Sequence, residues 1–348
     1  MRSGDLEYLR HLDDSPALPR GTVSWDGNTV YGYPHIGRIL ALATGLREQF
    51  PTPFWVEEKV EGYNVRICRV RDRVLAFSRG GFVCPFTTDR LPDLLDLAIL
   101  DAHPDLVICA EVAGPENPYL ESAPPFIGSD VRLFVFDLMR VGEPGFLPQE
   151  RTYALVERHG LPAVQRLGRY TADDVDAIQG ILRRFNAEGR EGIVFKEDAP
   201  GGRRAKYVTS SSGIADIRST AANILELPPE YFTNRILRLV LFLREQGLEH
   251  SEELDRELGA AFLDGLMAAL RQYESEGKVY RRFRCRLRER ESAQAMLAHL
   301  NEVGAHQVQI ALHRLEREGD YWVLEFDRQY SGLNGLLGHL LHGGLVFD

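Results

Sequence analysis

The strongest constraint on the fold is a change of texture near residue 207. Between Phe54 and Tyr207 the apolar residues come in short runs: Phe54-Trp55-Val56, Val65 to Val70, Val74 to Phe77, Leu106 to Val112 and Val131 to Leu138. These runs are β-branched or aromatic and bounded by turn residues, which predicts strands. Helices are expected at about Leu91 to Asp101 and Ala172 to Ala187. The second carries Val175, Ile178, Leu182 and Phe185 on one face, with Thr171 as N-cap and Asp174 as its capping-box partner. Upstream, Ile36 to Phe50 reads as a helix stopped by Pro51. After Tyr207 the run Thr209-Ser210-Ser211-Ser212-Gly213 reads as a loop, and the period then becomes helical. Ile236, Leu237, Val240 and Leu243 mark one helix, and Leu254, Leu258, Ala261, Phe262, Leu266, Ala269, Leu270 and Tyr273 a second. From Lys278 to Asp348 a small α/β piece is expected. Its first strand puts Phe283, Cys285 and Leu287 on one face and Arg282, Arg284, Arg286 and Arg288 on the other. That arginine row is either a solvated face or a phosphate-contacting stripe.

Strands first and helices later give an α+β chain. Four segments follow: an N-terminal module 1–52 packing on the core, a strand-rich core 53–214, a helical segment 215–277 and an α/β tail 278–348. Charge narrows the partners. With 41 Lys and Arg against 51 Asp and Glu, the net charge is −10, which excludes a basic coat over the whole molecule. A nucleic acid must meet a local basic patch. Cys68, Cys84, Cys109 and Cys285 lack C-x-x-C spacing, as expected for a chain without a disulfide framework in a reducing, cytoplasmic setting. No run reaches the ~18 apolar residues of a spanning helix, and no apolar secretory segment opens the sequence.

The richest chemical segment is Glu57-Glu58-Lys59-Val60-Glu61-Gly62-Tyr63-Asn64-Val65-Arg66. A lysine closing an apolar strand, with glycine three residues on, suits a buried nucleophile; a surface lysine before a hairpin has the same signature. To attack, the amine must lose its proton, so desolvation and neighbouring cations must depress its pKa from ~10.4. Four more segments follow in order: Ser78-Arg79-Gly80-Gly81, Cys109-Ala110-Glu111-Val112-Ala113-Gly114, Phe134-Val135-Phe136-Asp137, and Glu191-Gly192-Ile193-Val194-Phe195-Lys196 with Arg203-Arg204-Ala205-Lys206-Tyr207. Singly, each has a core or surface explanation.

As a series they resemble the covalent nucleotidyltransferase superfamily of polynucleotide ligases and capping enzymes, whose motifs stand in the same order between Lys59 and Lys206. Val56-Glu57-Glu58-Lys59 with Gly62-Tyr63-Asn64-Val65-Arg66 looks most like the homodimeric, archaeal-type ATP-dependent RNA ligases. The helical segment and α/β tail look like that group's dimerisation and C-terminal domains. One departure is Glu61, where DNA ligases and capping enzymes usually carry Asp; this favours RNA ligase.

The resemblance implies a nucleotidyltransferase, ATP-grasp-like ligase core of antiparallel sheets flanked by helices. It implies ATP with Mg²⁺ or Mn²⁺, and single-stranded RNA with 5′-phosphate and 3′-hydroxyl ends, joined also within one molecule. Lys59 would form lysyl-AMP. Lys206, Arg204 and Lys196 would form a positive wall around the α-phosphate and lower the Lys59 pKa. Phe136, with Phe134 as alternative, would stack on adenine, and Glu57, or Glu58, would accept from its amino group. Asn64 and Arg66 would hold ribose and phosphate, Arg79 the ATP tail or RNA phosphate, and Glu111 and Glu191 the ribose or a divalent ion. The rivals are a DNA ligase, a capping-type enzyme and a catalytically inactive RNA-binding protein. Leu258, Phe262 and Leu266, or neighbours on that face, are expected in a homodimer contact, and no membrane is expected.

Overall fold

The structure, a computed structural model, describes residues 1–15, 18–304 and 308–346. It is a mixed α+β chain that divides into two compact units. The first comprises residues 1–115 and 123–208; the second comprises residues 116–122 and 209–348. The N-terminal module and most of the strand-rich core therefore form one unit; residues 116–122 and 209–214 of that core join the two C-terminal segments in the other.

Two large sheets frame the first unit, beside a two-stranded and a three-stranded sheet within residues 2–30. One is antiparallel, in the order Arg132–Arg140, Leu106–Ala113, Tyr63–Val70, Arg73–Ser78. The other runs Arg166–Tyr170, Phe54–Lys59, Gly192–Glu197, Arg204–Val208, Gly37–Arg38, and only its last pair is parallel. Every expected strand is present. Phe54, Val56, Ile193 and Phe195 face helix Val175–Ala187, whose Ile178, Leu182 and Phe185 are buried. Phe54 and Phe195 also meet Phe50, with ring centroids 5.0 and 5.9 Å from it. The alternate residues of the same strands (Glu57, Lys59, Lys196, Arg204, Lys206) face the other way.

Several local expectations shift. The first helix is only Leu42–Gln49, because Gly37–Arg38 is taken up as the edge strand beside Ala205–Lys206. The second splits into Pro85–Leu94 and Ala98–Ala102. Thr171 does pair with Asp174, its N–H and hydroxyl each 2.7 Å from Oδ2, but the helix starts three residues later. The serine run is no loop. Thr209 accepts from the Ser212 N–H and caps helix Ser210–Thr220.

In the second unit, that helix packs against Glu230–Gln246 and Glu252–Glu276. Ile214, Ile217 and Ala261 are buried there, with Phe232, Ile236, Leu254, Leu258 and Phe262 packed around them. The expected dimer stripe is thus largely spent inside its own chain. What stays exposed is Leu237 and Val240 on one helix and Leu263 and Met267 on the other. Leu237 and Val240 adjoin Phe232, Ile236 and Phe262 in an apolar groove. The tail forms a three-stranded sheet in the order Tyr280–Leu287, Tyr321–Tyr330, Val308–Glu318, with helices Arg290–Gly304 and Ser331–Leu341. Its arginine row alternates as expected, but the charges are consumed. Arg282 binds Asp327, and Arg284 and Arg286 both bind Glu116 at 2.7 Å. Among the described residues no helix is long and apolar enough to cross a membrane.

Candidate active site

Lys59 closes its strand, and Gly62 follows at a point of close approach. A Cβ on Gly62 would lie 2.5 Å from the Val112 carbonyl oxygen and 2.8 Å from Cγ of Glu111. No side chain fits there, so the glycine lets the Lys59 turn close onto the Glu111 strand. Gly192 acts likewise after Glu191. Its φ is +155°, and a Cβ would lie 2.1 Å from the Tyr207 carbonyl oxygen.

These turns gather one group of charges. Lys59 Nζ donates to Glu191 Oε2 at 2.7 Å, with 21% of the lysine side chain exposed. Burial pulls the Lys59 pKa down, but Glu191 and then Glu111 pull it up further, and the net value is raised. The expected depression is therefore absent, because a carboxylate and not a cation is the nearest charge. Lys206 is the depressed lysine. Burial, then Lys59 and Arg38, bring it to about 8. Glu111 is pushed to about 7, chiefly by burial; Lys59 opposes the rise and Glu191 adds to it. Asn64 pairs in register with Glu111, and its Oδ1 is buried without a hydrogen bond. Arg79 Nη2 donates to the Pro34 carbonyl at 3.3 Å.

A second group, deeper on the same sheet face, takes three of the expected ligand-binding residues, Glu57, Lys196 and Arg204. Lys196, 1% exposed, lies 2.6 Å from Glu57 Oε2 and 3.3 Å from Asp137 Oδ1. Gln149 and Tyr153 donate to Glu57 Oε1, each at 2.7 Å. Arg204 lies 3.2 Å from Asp137 and donates to the Glu197 and Gly202 carbonyls. Tyr33 closes the set by donating to Asp137 Oδ2 at 2.9 Å. Burial alone would raise the Asp137 pKa; Lys196 and Arg204 more than offset it, and the net value is lowered. Glu57 is raised because burial outweighs Lys196.

Arg204 and Lys196 are thus committed to buried carboxylates and form no positive wall around Lys59. Glu58 sits on the opposite face, 2.9 Å from Arg190. Arg66 is wholly buried and donates to the carbonyls of Tyr31, Gly21 and Ser78 at 2.6, 2.7 and 3.0 Å. It ties the N-terminal module to the four-stranded sheet instead of holding ribose. Burial without a neighbouring carboxylate drops its pKa to about 10.

The two aromatics differ. Phe134 packs with Val60, Ala113 and Ile127 and lies edge-on to Phe126. Phe136 lies at a β-bulge, between the pairs Cys109–Asp137 and Ala110–Val135. It is half-buried, edge-on to Tyr33 at 5.3 Å, with Lys196 Nζ 5.7 Å from the ring centroid. A bulge re-aims a side chain out of the pleat. The sequence alone marks neither Tyr33, Gln149, Tyr153 and Asp137 as members of this buried network nor Arg38 as the neighbour of Lys206. The only signal for Asp137 was its place after Phe136.

Comparison with known proteins places the chain among ligases. A family model described as RNA ligase matches residues 52–208, and one described as the ligase Pab1020 C-terminal region matches residues 219–344. A solved structure described as "Putative ATP-dependent DNA ligase from Aquifex aeolicus" is 57% identical, with a TM-score of 0.96, covering 100% of this chain and 96% of that one. A structure described as an archaeal ATP-dependent RNA ligase is 30% identical, with a TM-score of 0.90, covering 99% of this chain and 92% of the other. Uncharacterized protein MJ0414 of Methanocaldococcus jannaschii is 27% identical over 288 residues, 79% of this chain and 72% of that protein.

Proposed function

We propose that this chain, which belongs to the RNA ligase family, joins 5′-phosphate and 3′-hydroxyl ends of single-stranded RNA at the expense of ATP. The observation that carries the proposal is Lys59 itself: a strand-end amine, partly exposed, held by Glu191 and flanked by Glu111 and Lys206. In the first step Lys59 Nζ bonds to the α-phosphorus, the Pα–O bond to the β-phosphate breaks, and pyrophosphate leaves. AMP then passes from Lys59 to the RNA 5′-phosphate oxygen. Finally the 3′-hydroxyl oxygen attacks the phosphorus of the RNA 5′-phosphate, the bond from that phosphorus to the bridging oxygen breaks, and AMP leaves. Intramolecular joining would yield circles.

Each side chain has a physical task. Glu191 holds the ammonium of Lys59, and it is the nearest acceptor for the proton that must leave before attack. Lys206 neutralises charge building on the α-phosphate. Phe136 offers adenine a flat face. Glu57 uses three of about four lone-pair sites on its donors, leaving one for the adenine amino group. Asn64 and Glu111 suit ribose hydroxyls. A magnesium or manganese ion fits Glu111 and Glu191, because burial and then repulsion from Glu191 raise Glu111, and a cation offsets both. Among the described residues no cluster of three or more ligating side chains occurs, so few protein contacts would hold it, as magnesium tolerates. When bound, it would neutralise phosphate charge as a Lewis acid.

The adduct test is direct. Lys59→Ala should lose the covalent AMP label and ligation of unadenylated RNA, yet still seal pre-adenylated RNA. A wild-type yield of adduct in that variant would overturn the assignment. DNA sealing is the second reading, favoured by the description of the Aquifex neighbour. Against it, the residues after the last motif are helical, whereas the resemblance associates DNA ligases with an OB-fold there. Comparing single-stranded RNA, nicked duplex RNA and nicked duplex DNA decides between them. A homodimer is proposed through the exposed groove at Leu237 and Val240, not through Leu258 and Leu266. Val240→Asp should lower the mass measured by light scattering; a monomeric wild type would remove the claim.

A further inference from the structure

The segment Tyr33 to Ile39 belongs to the N-terminal module, and no motif marks it. It is pinned at both ends. The Tyr33 hydroxyl donates to Asp137. Gly37 and Arg38 pair in parallel with Ala205 and Lys206, and the Ile39 N–H donates to the Lys206 carbonyl at 2.9 Å. Between these anchors the Pro34 carbonyl takes a hydrogen bond from Arg79. The strap thus lays His35 and Arg38, both exposed, beside the half-buried Arg79 and next to Lys206.

The electrostatics report the same crowding. Lys59, Arg38 and Arg79 each oppose the charge on Lys206. Arg79 and Lys206 do the same to His35, whose pKa is lowered. Asp14 lies 3.9 Å from His35, and Glu191 is engaged by Lys59. Arg79 Nε is buried without a hydrogen bond. Folding that brings Arg38, Arg79 and Lys206 together at an accessible edge favours a polyanion, beside which the His35 ring can donate a hydrogen bond. Guanidinium groups in this setting match phosphate oxygens in pairs.

We infer that His35, Arg38 and Arg79 form a polyphosphate subsite beside Lys206, taking the β- and γ-phosphates of ATP and the pyrophosphate that leaves. The inference rests on the adenylation reading above. It makes the N-terminal strap part of the nucleotide site, with Arg38 and His35 as binding residues. The α-phosphate lies between Lys59 and Lys206, and the leaving group is drawn toward the strap.

The test uses the full-length protein with Arg38→Ala, Arg38→Lys and His35→Ala. Three quantities are measured: the ATP concentration dependence of adduct formation, inhibition by inorganic pyrophosphate, and sealing of pre-adenylated RNA. Arg38→Ala should raise the ATP KM about tenfold, the scale of one lost charge-assisted hydrogen bond. It should weaken pyrophosphate inhibition by a similar factor and leave sealing of pre-adenylated RNA unchanged. Arg38→Lys should recover part of the loss, and His35→Ala should show a smaller effect in the same direction. An unchanged ATP KM and pyrophosphate inhibition in Arg38→Ala would overturn the subsite. Equal loss in sealing of pre-adenylated RNA would overturn it too, by assigning the strap to RNA phosphate. A wild type that forms no adduct but seals pre-adenylated RNA would refute the adenylation reading instead. Unaltered melting of Arg38→Ala, whose side chain is exposed, keeps these outcomes distinct from misfolding.

Discussion

Two groups of charges meet at one face of the five-stranded sheet, each completed by a carboxylate from the four-stranded sheet, and they are wired differently. The deep group, Glu57, Lys196, Asp137 and Arg204, is at most 6% exposed. Each cation there has a carboxylate within 3.3 Å, and each carboxylate has further donors. The shallow group, Lys59, Glu191, Glu111 and Lys206, is partly open and unevenly matched. Lys59 takes Glu191, and Lys206 and Glu111 are left with shifted affinities for protons. The difference separates roles that residue type cannot. A lysine matched on all sides holds a sheet together; a lysine next to an unrelieved like charge is ready for an anion. Sequence spacing places Lys196 and Lys206 on one face, and only their partners tell them apart.

The comparison breaks most visibly under charge removal. Asp137→Asn strips the carboxylate that Lys196 and Arg204 share. Leaving buried charge uncompensated costs about 3–5 kcal/mol. For a unit of this size that is roughly 6–20 °C in melting temperature. Glu191→Gln, in the shallow group, should cost less than about 1 kcal/mol while abolishing adenylation. Thermal melts beside adduct assays check the pair, and a reversed pattern would dissolve the distinction.

The next effect concerns protons. Lys206 has its folded pKa lowered to about 8, so the free enzyme loses that charge as pH rises past 8. The kcat/KM for ATP should then fall about fivefold between pH 8 and 9, since this parameter reports the free enzyme. Lys206→Arg should lack that alkaline limb. Stability moves the opposite way. Between the folded value and the higher unfolded one, the unfolded chain binds more protons, so this residue's contribution rises with pH across that window. Urea titrations of wild type and Lys206→Met at pH 7 and 10 measure it.

The smallest effect sharpens the boundary between the groups, where Phe136 lies. Phe136→Ala should raise the ATP concentration needed for adenylation by up to roughly tenfold, on the scale of 0.5–1.5 kcal/mol for aromatic contacts; Phe136→Leu should do less. If Phe134→Ala has the larger effect, the aromatics are interchanged.

Much of this was legible before the fold was known. The strands from Phe54 to Lys206 follow from local runs, and the order of motifs brought Lys59, Glu111, Glu191 and Lys206 together. What stayed hidden depends on distant partners. Tyr33 reaches Asp137 across 104 positions, and Tyr153 reaches Glu57 across 96. No window of sequence reports such pairings, so the sequence alone points Arg66, Lys196 and Arg204 at a ligand where the fold ties them to carbonyls and buried carboxylates. Gly37–Arg38 looks helical in sequence because a neighbouring strand, not local propensity, decides its state. The serine run was read as loop because its composition hid a cap at Thr209.

The seven-residue excursion 116–122 has a consequence for ancestry and engineering. It interrupts the first unit in sequence yet belongs to the second, where Glu116 meets Arg284 and Arg286 and Glu121 accepts from Tyr330. A gene swap at residue 208 would therefore carry away only part of the C-terminal unit. The transplanted tail would arrive without the carboxylates its arginines bind, and the core left behind would keep an orphaned loop. The two units are not interchangeable cassettes. Lineages that trade one for the other must rewrite a segment just downstream of Glu111, so tail and ligase core are expected to be inherited together.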